Sequence, residues 1–412
     1  MSSVLASVIS LPQGAGAGVR RRLGLGPDEA LRVSFIPGGG DVVGTFDHWR
    51  AGRHDPRVPI IAYSLMFYEL MHRLGAQCQV ITIDPFDTSL HPAGNPFRFE
   101  QVIPPPATGR WSHLHSRHLH ARELVSVVER YDPHVVITST HNPAGSWKRL
   151  GRGRKLILTA HNSFWPMGRP LDGIKGRLRK ALLYARAPAL DAAICTSHEC
   201  ARQIAEVTRG RIQGEVECPQ VVAHYPIEQR DTAQKLLFIG RIEHYKGVFL
   251  LLDVFNRLAD RHPSLSLVFA GEGSAGEALR ERITASPHSG RITSLGHLGS
   301  REVHAALANT DLLVCPTMTS FNEGLAVVGF EAAAHGIPTV LSSVVPALDL
   351  LGQSCSVYEA DNSAALERSL SSLIDNPQTY RDRCVATAAV RDKIYDRSLS
   401  WGSGLFRAIM TA

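Results

Sequence analysis

The chain has 412 residues, of which 44% are hydrophobic and 20% charged, with a net charge of +6. That length supplies two domain cores and the composition is that of an ordinary globular protein, while the longest apolar stretches fall far short of the ~20 residues a membrane-spanning helix needs. The seven cysteines are scattered without metal-ligand or disulfide-framework spacing, which points to buried thiols in a reducing compartment and so to a cytoplasmic chain. No recognition module or aromatic-interleaved basic platform accompanies the positive charge, so nucleic acid is not an expected partner.

Residues 1–29 are rich in Gly, Ser and Ala. An apolar start over Val4–Leu11 precedes Arg20-Arg21-Arg22, the wrong order for a secretory signal, and a flexible tail is expected. Leu31 to Pro37 predicts the first strand. It runs into Gly38-Gly39-Gly40, a cluster that permits close backbone approach of a ligand but lacks the full dinucleotide fingerprint. A helix over Ile60–Leu74, stopped at Gly75, leads to a strand from Cys78 to Ile83; further strands are expected at His134–Ser139, Lys155–Thr159 and Asp191–Thr196. This is the pattern of a doubly wound α/β domain. The cluster His113, His115, His118 and His120 has no matching carboxylate or Cys partner and reads as a polar loop and helix start. Two basic runs, Lys148–Lys155 and Lys175–Lys180, concentrate cations in this half; the second continues into Ala181-Leu182-Leu183-Tyr184 as a basic helix with an apolar component. Such a helix suits peripheral contact with anionic lipid at the inner face of a membrane, and equally suits a solvated face.

Pro226 to Ala233 carries mixed charge and reads as the interdomain linker. Beyond it, Lys235–Gly240 is a strand ending in Gly, followed by a loop with Arg241 and Lys246 and then an amphipathic helix through Val248, Leu251, Leu252, Phe255 and Leu258. Two cations in a strand-to-helix loop make a diphosphate site, Arg241 as a fork and Lys246 as a point charge. Strands at Leu265–Ala270 and Arg291–Leu295 end at Gly271 and Gly296, a helix follows near Val303–Ala308, and Leu312–Thr317 is a buried strand. Glu323 then falls in a loop and Glu331 eight residues on in a helix that stops at Gly336. Alternating strands and helices imply a parallel sheet whose carboxyl-end loops, at Gly240, Gly271, Gly296 and Glu323, converge on a ligand.

In that order, Gly240-Arg241…Lys246-Gly247, Ala270-Gly271-Glu272-Gly273, Leu295-Gly296, Pro316…Glu323-Gly324…Glu331-Ala332 and Gly336-Ile337-Pro338 resemble glycosyltransferase family 4, retaining enzymes of the GT-B fold. The resemblance is close from Lys235 to Asn376 and looser before it, where Thr159-Ala160-His161 and Ala192–Ser197 are similar to family segments. It implies an α/β chain of two Rossmann-like domains facing across a cleft: 30–228 on the acceptor side, 229–396 binding the nucleotide-sugar, and 397–412 crossing back to the first domain. It further implies that Arg241 and Lys246 hold the donor diphosphate, Glu331 the ribose, and Glu323 the hydroxyls of the transferred sugar. The amides of Gly324, Leu325, Ala326 and Val327 would cradle sugar and distal phosphate, with Gly39, Gly40, Gly240 and Gly271 also lining the donor site. His297 would lie near the base and His161 across the cleft from the donor sugar. The family has an aromatic and a second Gly where this chain has Leu325 and Ala326, a departure expected to bear on specificity.

The implied activity is transfer of a sugar from a UDP- or GDP-sugar to a glycan or lipid-linked acceptor with retention of configuration, in polysaccharide or glycolipid assembly, with no metal or other cofactor. The competing readings are an epimerase on the same fold, a phosphorylase-like enzyme and a non-catalytic nucleotide-sugar binding module.

Overall fold

A computed structural model describes residues 8–58, 60–87, 96–169 and 171–412. The strands are β1 (Leu31–Gly38), β2 (Ala76–Thr82), β3 (Phe97–Gln101), β4 (Val135–Ser139), β5 (Lys155–Ala160), β6 (Ala192–Cys195) and β7 (Glu215–Val216), followed by β8 (Lys235–Ile239), β9 (Ser266–Ala270), β10 (Ile292–Ser294), β11 (Leu312–Cys315), β12 (Thr339–Ser342) and β13 (Cys355–Tyr358). The helices of the first half are α1 (Ala15–Arg22), α2 (Val42–Arg50), α3 (Tyr63–Leu74), α4 (Arg110–Tyr131), α5 (Trp147–Leu150), α6 (Gly173–Arg186) and α7 (His198–Val207). Those of the second half are α8 (Val248–Ala259), α9 (Gly276–Thr284), α10 (Ser300–Ala308), α11 (Val328–Ala334), α12 (Leu348–Leu351), α13 (Ser363–Ile374), α14 (Pro377–Tyr395) and α15 (Trp401–Thr411).

All strand pairs are parallel. The first sheet runs β3-β2-β1-β4-β5-β6-β7 and the second β10-β9-β8-β11-β12-β13. Each is doubly wound, and each reverses its winding between its first strand and the strand inserted beside it: β1 against β4, and β8 against β11. At such a reversal the two flanking loops diverge to opposite faces and leave a crevice at the carboxyl ends.

Burial explains why these segments became strands. β4, β5, β11 and β12 are covered on both faces and read as near-continuous Val, Ile and Leu, as central parallel strands should. Apolar clusters line both faces of the first sheet and of the second. The stacked pair Phe35–Phe67, with centroids 4.2 Å apart, fixes α3 on β1, and Trp401 of α15 lies 6.1 Å from Phe35. The chain therefore returns to the first domain through α15. Arg397 fastens this return by donating to Gln220 Oε1 (2.9 Å) and the Val221 carbonyl (3.0 Å).

Two sequence expectations change. The tail expected to be flexible over residues 1–29 is, over the described residues 8–29, docked on the first domain. Val8, Ile9 and Val19 are buried, and α1 lies against α3 and α15. Its arginines supply the physical reason: Arg20 donates to the carbonyls of Leu74 (3.0 Å) and Gly75 (3.1 Å), and Arg22 to that of Met410 (2.8 Å). These are helix C-terminal carbonyls left without partners within their own helices, so cations there satisfy both hydrogen bonding and the helix dipole. Small residues let the segment approach closely, with Gly16 against the Leu74 carbonyl. The part of the apolar start before Val8 lies outside the described residues.

The histidine cluster is not a loop and helix start: all four residues lie inside the 22-residue helix α4, with His120 buried and His113, His115 and His118 exposed. Among the described residues no group of three or more His, Cys, Asp or Glu is placed to hold a metal, and no helix is long and apolar enough to cross a membrane. All seven cysteines are free, and six are buried.

Replacing Arg20 with Ala should lower stability by about 1–2 kcal/mol, because four chain carbonyls lose a donor. Urea unfolding would measure this; an unchanged midpoint would mean that α1 contributes nothing to the domain.

Candidate active site at the facing sheet ends

The second-domain side is built on the β8/β11 reversal. Arg241 and Lys246 come from the loop after β8, and Thr317, Phe321 and Glu323 from the loop after β11. Gly247 joins these loops: at φ +73° its Cα faces the Pro316 carbonyl so closely that a Cβ would collide with it. Met318 N–H completes the seam by donating to the Tyr245 carbonyl (2.9 Å).

The result is an ion pair between Lys246 Nζ and Glu323 Oε2 at 2.5 Å, with side-chain exposures of only 16% and 10%. Thr317 Oγ1 donates to the same carboxylate oxygen (2.9 Å). Above it, Tyr245 and Phe321 stack at 4.4 Å. The Lys246 ammonium lies 4.7 Å from the Phe321 centroid, and the Arg241 guanidinium 5.6 and 5.7 Å from the two rings. The aromatic faces hold both cations at the mouth of the crevice without neutralising them. Sequence reading found Arg241, Lys246 and Glu323 but missed Thr317, Tyr245 and Phe321. Aromatics in strand-to-helix loops carry no periodic signal that would have marked them.

Behind the pair, the stretch from Gly324 to Val327 crosses into α11. Among the described residues the amides of Gly324, Leu325, Ala326 and Val327 donate no hydrogen bond. Glu331 lies in the first turn of α11, 3% exposed, and its Oε1 has no partner. Burial pushes its carboxyl up to about 7. Beside it, Tyr225 stacks between His304 and His335 at 4.5 and 4.1 Å and bonds His304 Nε2 through its hydroxyl (2.8 Å), a packed floor that the sequence did not announce. Gly240 and Gly271 line the same sheet end and are linked in series: Gly240 N–H donates to Ala270 O (3.0 Å) and Gly271 N–H to Gly296 O (2.7 Å). His297 follows as an exposed residue beyond β10.

The first-domain side is built on the β1/β4 reversal. Gly39 and Gly40 are exposed in the loop after β1, where Gly40 N–H donates to Asp84 Oδ2 (2.9 Å). His141, after β4, packs on Gly38 and is held by Ser139 Oγ (2.8 Å) and Asn162 Nδ2 (3.2 Å). His161, after β5, lies between Tyr63 (4.8 Å) and His141 (6.3 Å). Burial, reinforced by His141, pushes its imidazole down to about 4, so the ring is neutral at pH 7. Beneath it, Glu217 is buried against Tyr63, and burial pushes its carboxyl up to about 8.

The two sides meet. Ser163 Oγ donates to Asn322 Oδ1 (2.7 Å), and Asn322 Nδ2 returns a bond to the Ser163 carbonyl (2.7 Å). Next to this bridge, a Cβ on Gly324 would come within 3.1 Å of the His161 carbonyl and 2.6 Å of Asn162 Oδ1, so only Gly lets the loops close this far. Arg241, Lys246, Glu323, Gly324 and His161 therefore share one crevice. Glu331, Gly240, Gly271 and His297 lie along its second-domain wall, and Gly39 and Gly40 on the opposite rim.

Residues 64–213 match the family described as Glycosyltransferase Family 4, and residues 224–391 the one described as Glycosyl transferases group 1. Together the two matches take in most of the chain, one per domain, and the chain belongs to the group 1 glycosyltransferases of the GT-B fold. Glycogen synthase of Mycobacterium tuberculosis is 31% identical over 157 residues, 37% of this chain and 36% of that protein, so the likeness spans about a third of the relative's length. Among solved structures, Anabaena HepE in complex with UDP superposes with a TM-score of 0.60 at 13% identity, over 88% of this chain and 96% of that one. Sucrose-phosphate synthase of Thermosynechococcus elongatus does so with a TM-score of 0.63 at 14% identity, over 92% and 97%.

Ala326 has φ +59°, a left-handed conformation that L side chains resist. Relief of about 1–2 kcal/mol of strain in Ala326→Gly, less the extra freedom of Gly in the unfolded chain, should leave the variant more stable by about 0.5–1 kcal/mol. Thermal unfolding would test it, and a lowered midpoint, as an ordinary Ala→Gly change gives, would contradict the strain.

Proposed function

We propose that the crevice transfers a sugar from a nucleoside-diphosphate sugar to an acceptor hydroxyl with retention at the anomeric carbon. The observation that carries this reading is the Lys246–Glu323 pair at the β8/β11 reversal, facing His161 across a gap narrow enough to require Gly324. Arg241 and Lys246 take the diphosphate with the free amides of Gly324 to Val327, the ribose hydroxyls donate to Glu331, and Glu323 accepts from hydroxyls of the sugar. His161, neutral, hydrogen-bonds the sugar without adding charge beside the leaving group.

In the reaction the bond from anomeric carbon to phosphate oxygen breaks. The acceptor oxygen bonds that carbon on the same face, and its proton passes to the departing diphosphate. Catalysis comes from positioning and from the two cations stabilising charge on the leaving group. UDP bound to HepE supports a UDP-sugar donor, with a GDP-sugar as the other candidate. A cavity of about 1040 Å³ that opens beside His141, Asn162 and Asn322 gives room for an acceptor and favours transfer over epimerisation. The setting we infer is polysaccharide or glycolipid assembly at the inner face of a membrane.

Calorimetric titration with UDP, GDP and ADP tests the donor site: one should bind, and Lys246→Ala should weaken that binding and lower turnover by about 100-fold or more. Near-normal transfer in that variant would sink the role given to Lys246. The pH dependence is a separate check. In the free protein Glu331, at about 7, is mostly protonated below neutrality, whereas the ribose hydroxyls favour the carboxylate. Binding below pH 7 should therefore release a proton and tighten by up to ~10-fold per pH unit as pH rises, levelling off above 7. Glu331→Gln should bind weakly and without that slope; a slope that persists would assign it to another group.

A further inference from the structure

The cavity beside the crevice has a charge distribution that the donor chemistry does not use. It lies between α4 and α6 and is lined by Arg117, Arg122, Arg149, Arg179 and Arg186, with no Asp or Glu. Arg149 is paired with Glu129 outside the lining (2.9 Å), and Arg179 donates to the Phe164 carbonyl (2.7 Å). Among the described residues, Arg117, Arg122 and Arg186 form no ion pair. Three guanidiniums without an ion partner thus line one concavity, open to solvent, and their planar forks match phosphate oxygens.

The arrangement is written into both helices. On α4 the cavity takes Leu114, Arg117, His118, Ala121, Arg122 and Val125; on α6 it takes Arg179, Leu182, Leu183 and Arg186. Both sets follow the three-and-four spacing of a single helix face, so each helix turns a row of guanidiniums inward. At the lip the lining turns apolar and exposed. Leu114 and Leu182 are 60% and 46% exposed, and the stripe continues through Trp111 at 85%, Ile174 at 86% and Leu178 at 62%. Large apolar side chains beside Lys175, Arg177 and Lys180 form the kind of surface that enters the headgroup region of an anionic bilayer.

We propose that this cavity binds the phosphate of a phosphorylated acceptor, holding the acceptor hydroxyl towards the crevice, with the apolar lip receiving the chain of a lipid-borne phosphate. The proposal rests on the donor reading only for the direction in which the acceptor points.

The test is calorimetric titration of the full chain with inorganic pyrophosphate in saturating UDP, or whichever nucleoside diphosphate binds, so that the donor cations are occupied. Wild type should bind, and Arg122→Ala/Arg186→Ala should lose 10-fold or more in affinity while its affinity for the nucleotide stays unchanged, which also shows the variant is folded. Farnesyl diphosphate forms the second arm. Binding at least 10-fold tighter than pyrophosphate, with the advantage lost in Leu178→Glu, would assign the phosphate to a lipid; equal binding would assign it to a soluble phosphorylated acceptor. No pyrophosphate binding in wild type, or equal binding in the double variant, would overturn the site. If no nucleotide binds, the donor reading fails by itself, and pyrophosphate titrated alone into the two proteins still decides the cavity.

Discussion

Parallel pairing is the constraint from which this site follows. A parallel sheet needs a crossover after each strand, and the chain builds one sheet twice, reversing direction at β1/β4 and again at β8/β11. Each reversal opens a crevice at the carboxyl ends, and the Ser163–Asn322 bridge sets the two crevices face to face. The loops that meet there owe their positions to strands buried on both sides. A change in Lys246 acts on the crevice loops, whereas a change in Val314 or Ile157, fully buried in β11 and β5, would displace every residue of the site.

The electrostatics of the crevice fall into charged and neutral parts. Lys246 and Glu323 are partly buried, each is the other's ion partner, and Thr317 adds a bond to the carboxylate. Glu331 and His161 lack such partners, and burial moves both towards their neutral forms. The crevice thus combines an ion pair, Lys246 with Glu323, and two groups, Glu331 and His161, that burial moves towards neutrality in the free protein. An orphan carboxylate oxygen on Glu331 is unfavourable in the free protein, and a ligand hydroxyl that satisfies it gains the energy the fold has left unsatisfied.

How much of this was legible depended on the kind of signal. Strands such as Lys155–Ala160 and Leu312–Cys315 are apolar runs bounded by turn residues, and the loops after β8 and β11 carry charged residues at fixed offsets, so the second domain and its cations could be read directly. The edge strands β3 and β7 could not. Phe97–Gln101 is half polar, and Glu215–Val216 is two residues long, paired only because β6 lies beside it. The docking of α1 was hidden for a related reason. A Gly- and Ala-rich run with three arginines has the composition of a solvated tail, and only the helix ends at Leu74 and Met410, distant in sequence, give those arginines their work. Long-range hydrogen bonds leave no local pattern.

The arginine face of α4 was missed through a bias in how helices are recognised. Amphipathicity is sought as an apolar stripe, and α4 has only Leu124, Val125, Val127 and Val128 buried near its C-terminal end; over the preceding turns its inward face is Arg117, His118 and Arg122. A helix whose cavity-facing side is cationic and open to solvent looks like an ordinary solvated helix until the helix opposite it is known to be cationic too. α6, read as a basic helix from sequence, presents Arg179 and Arg186 to the same space. Each helix alone is an ordinary basic surface element. Packed on opposite sides of one concavity they form a field with no counter-charge in the lining, next to a crevice where Lys246 is paired with Glu323. The two regions differ in degree: in the crevice one of the two cations has a carboxylate partner, while in the cavity Arg117, Arg122 and Arg186 have none among the described residues.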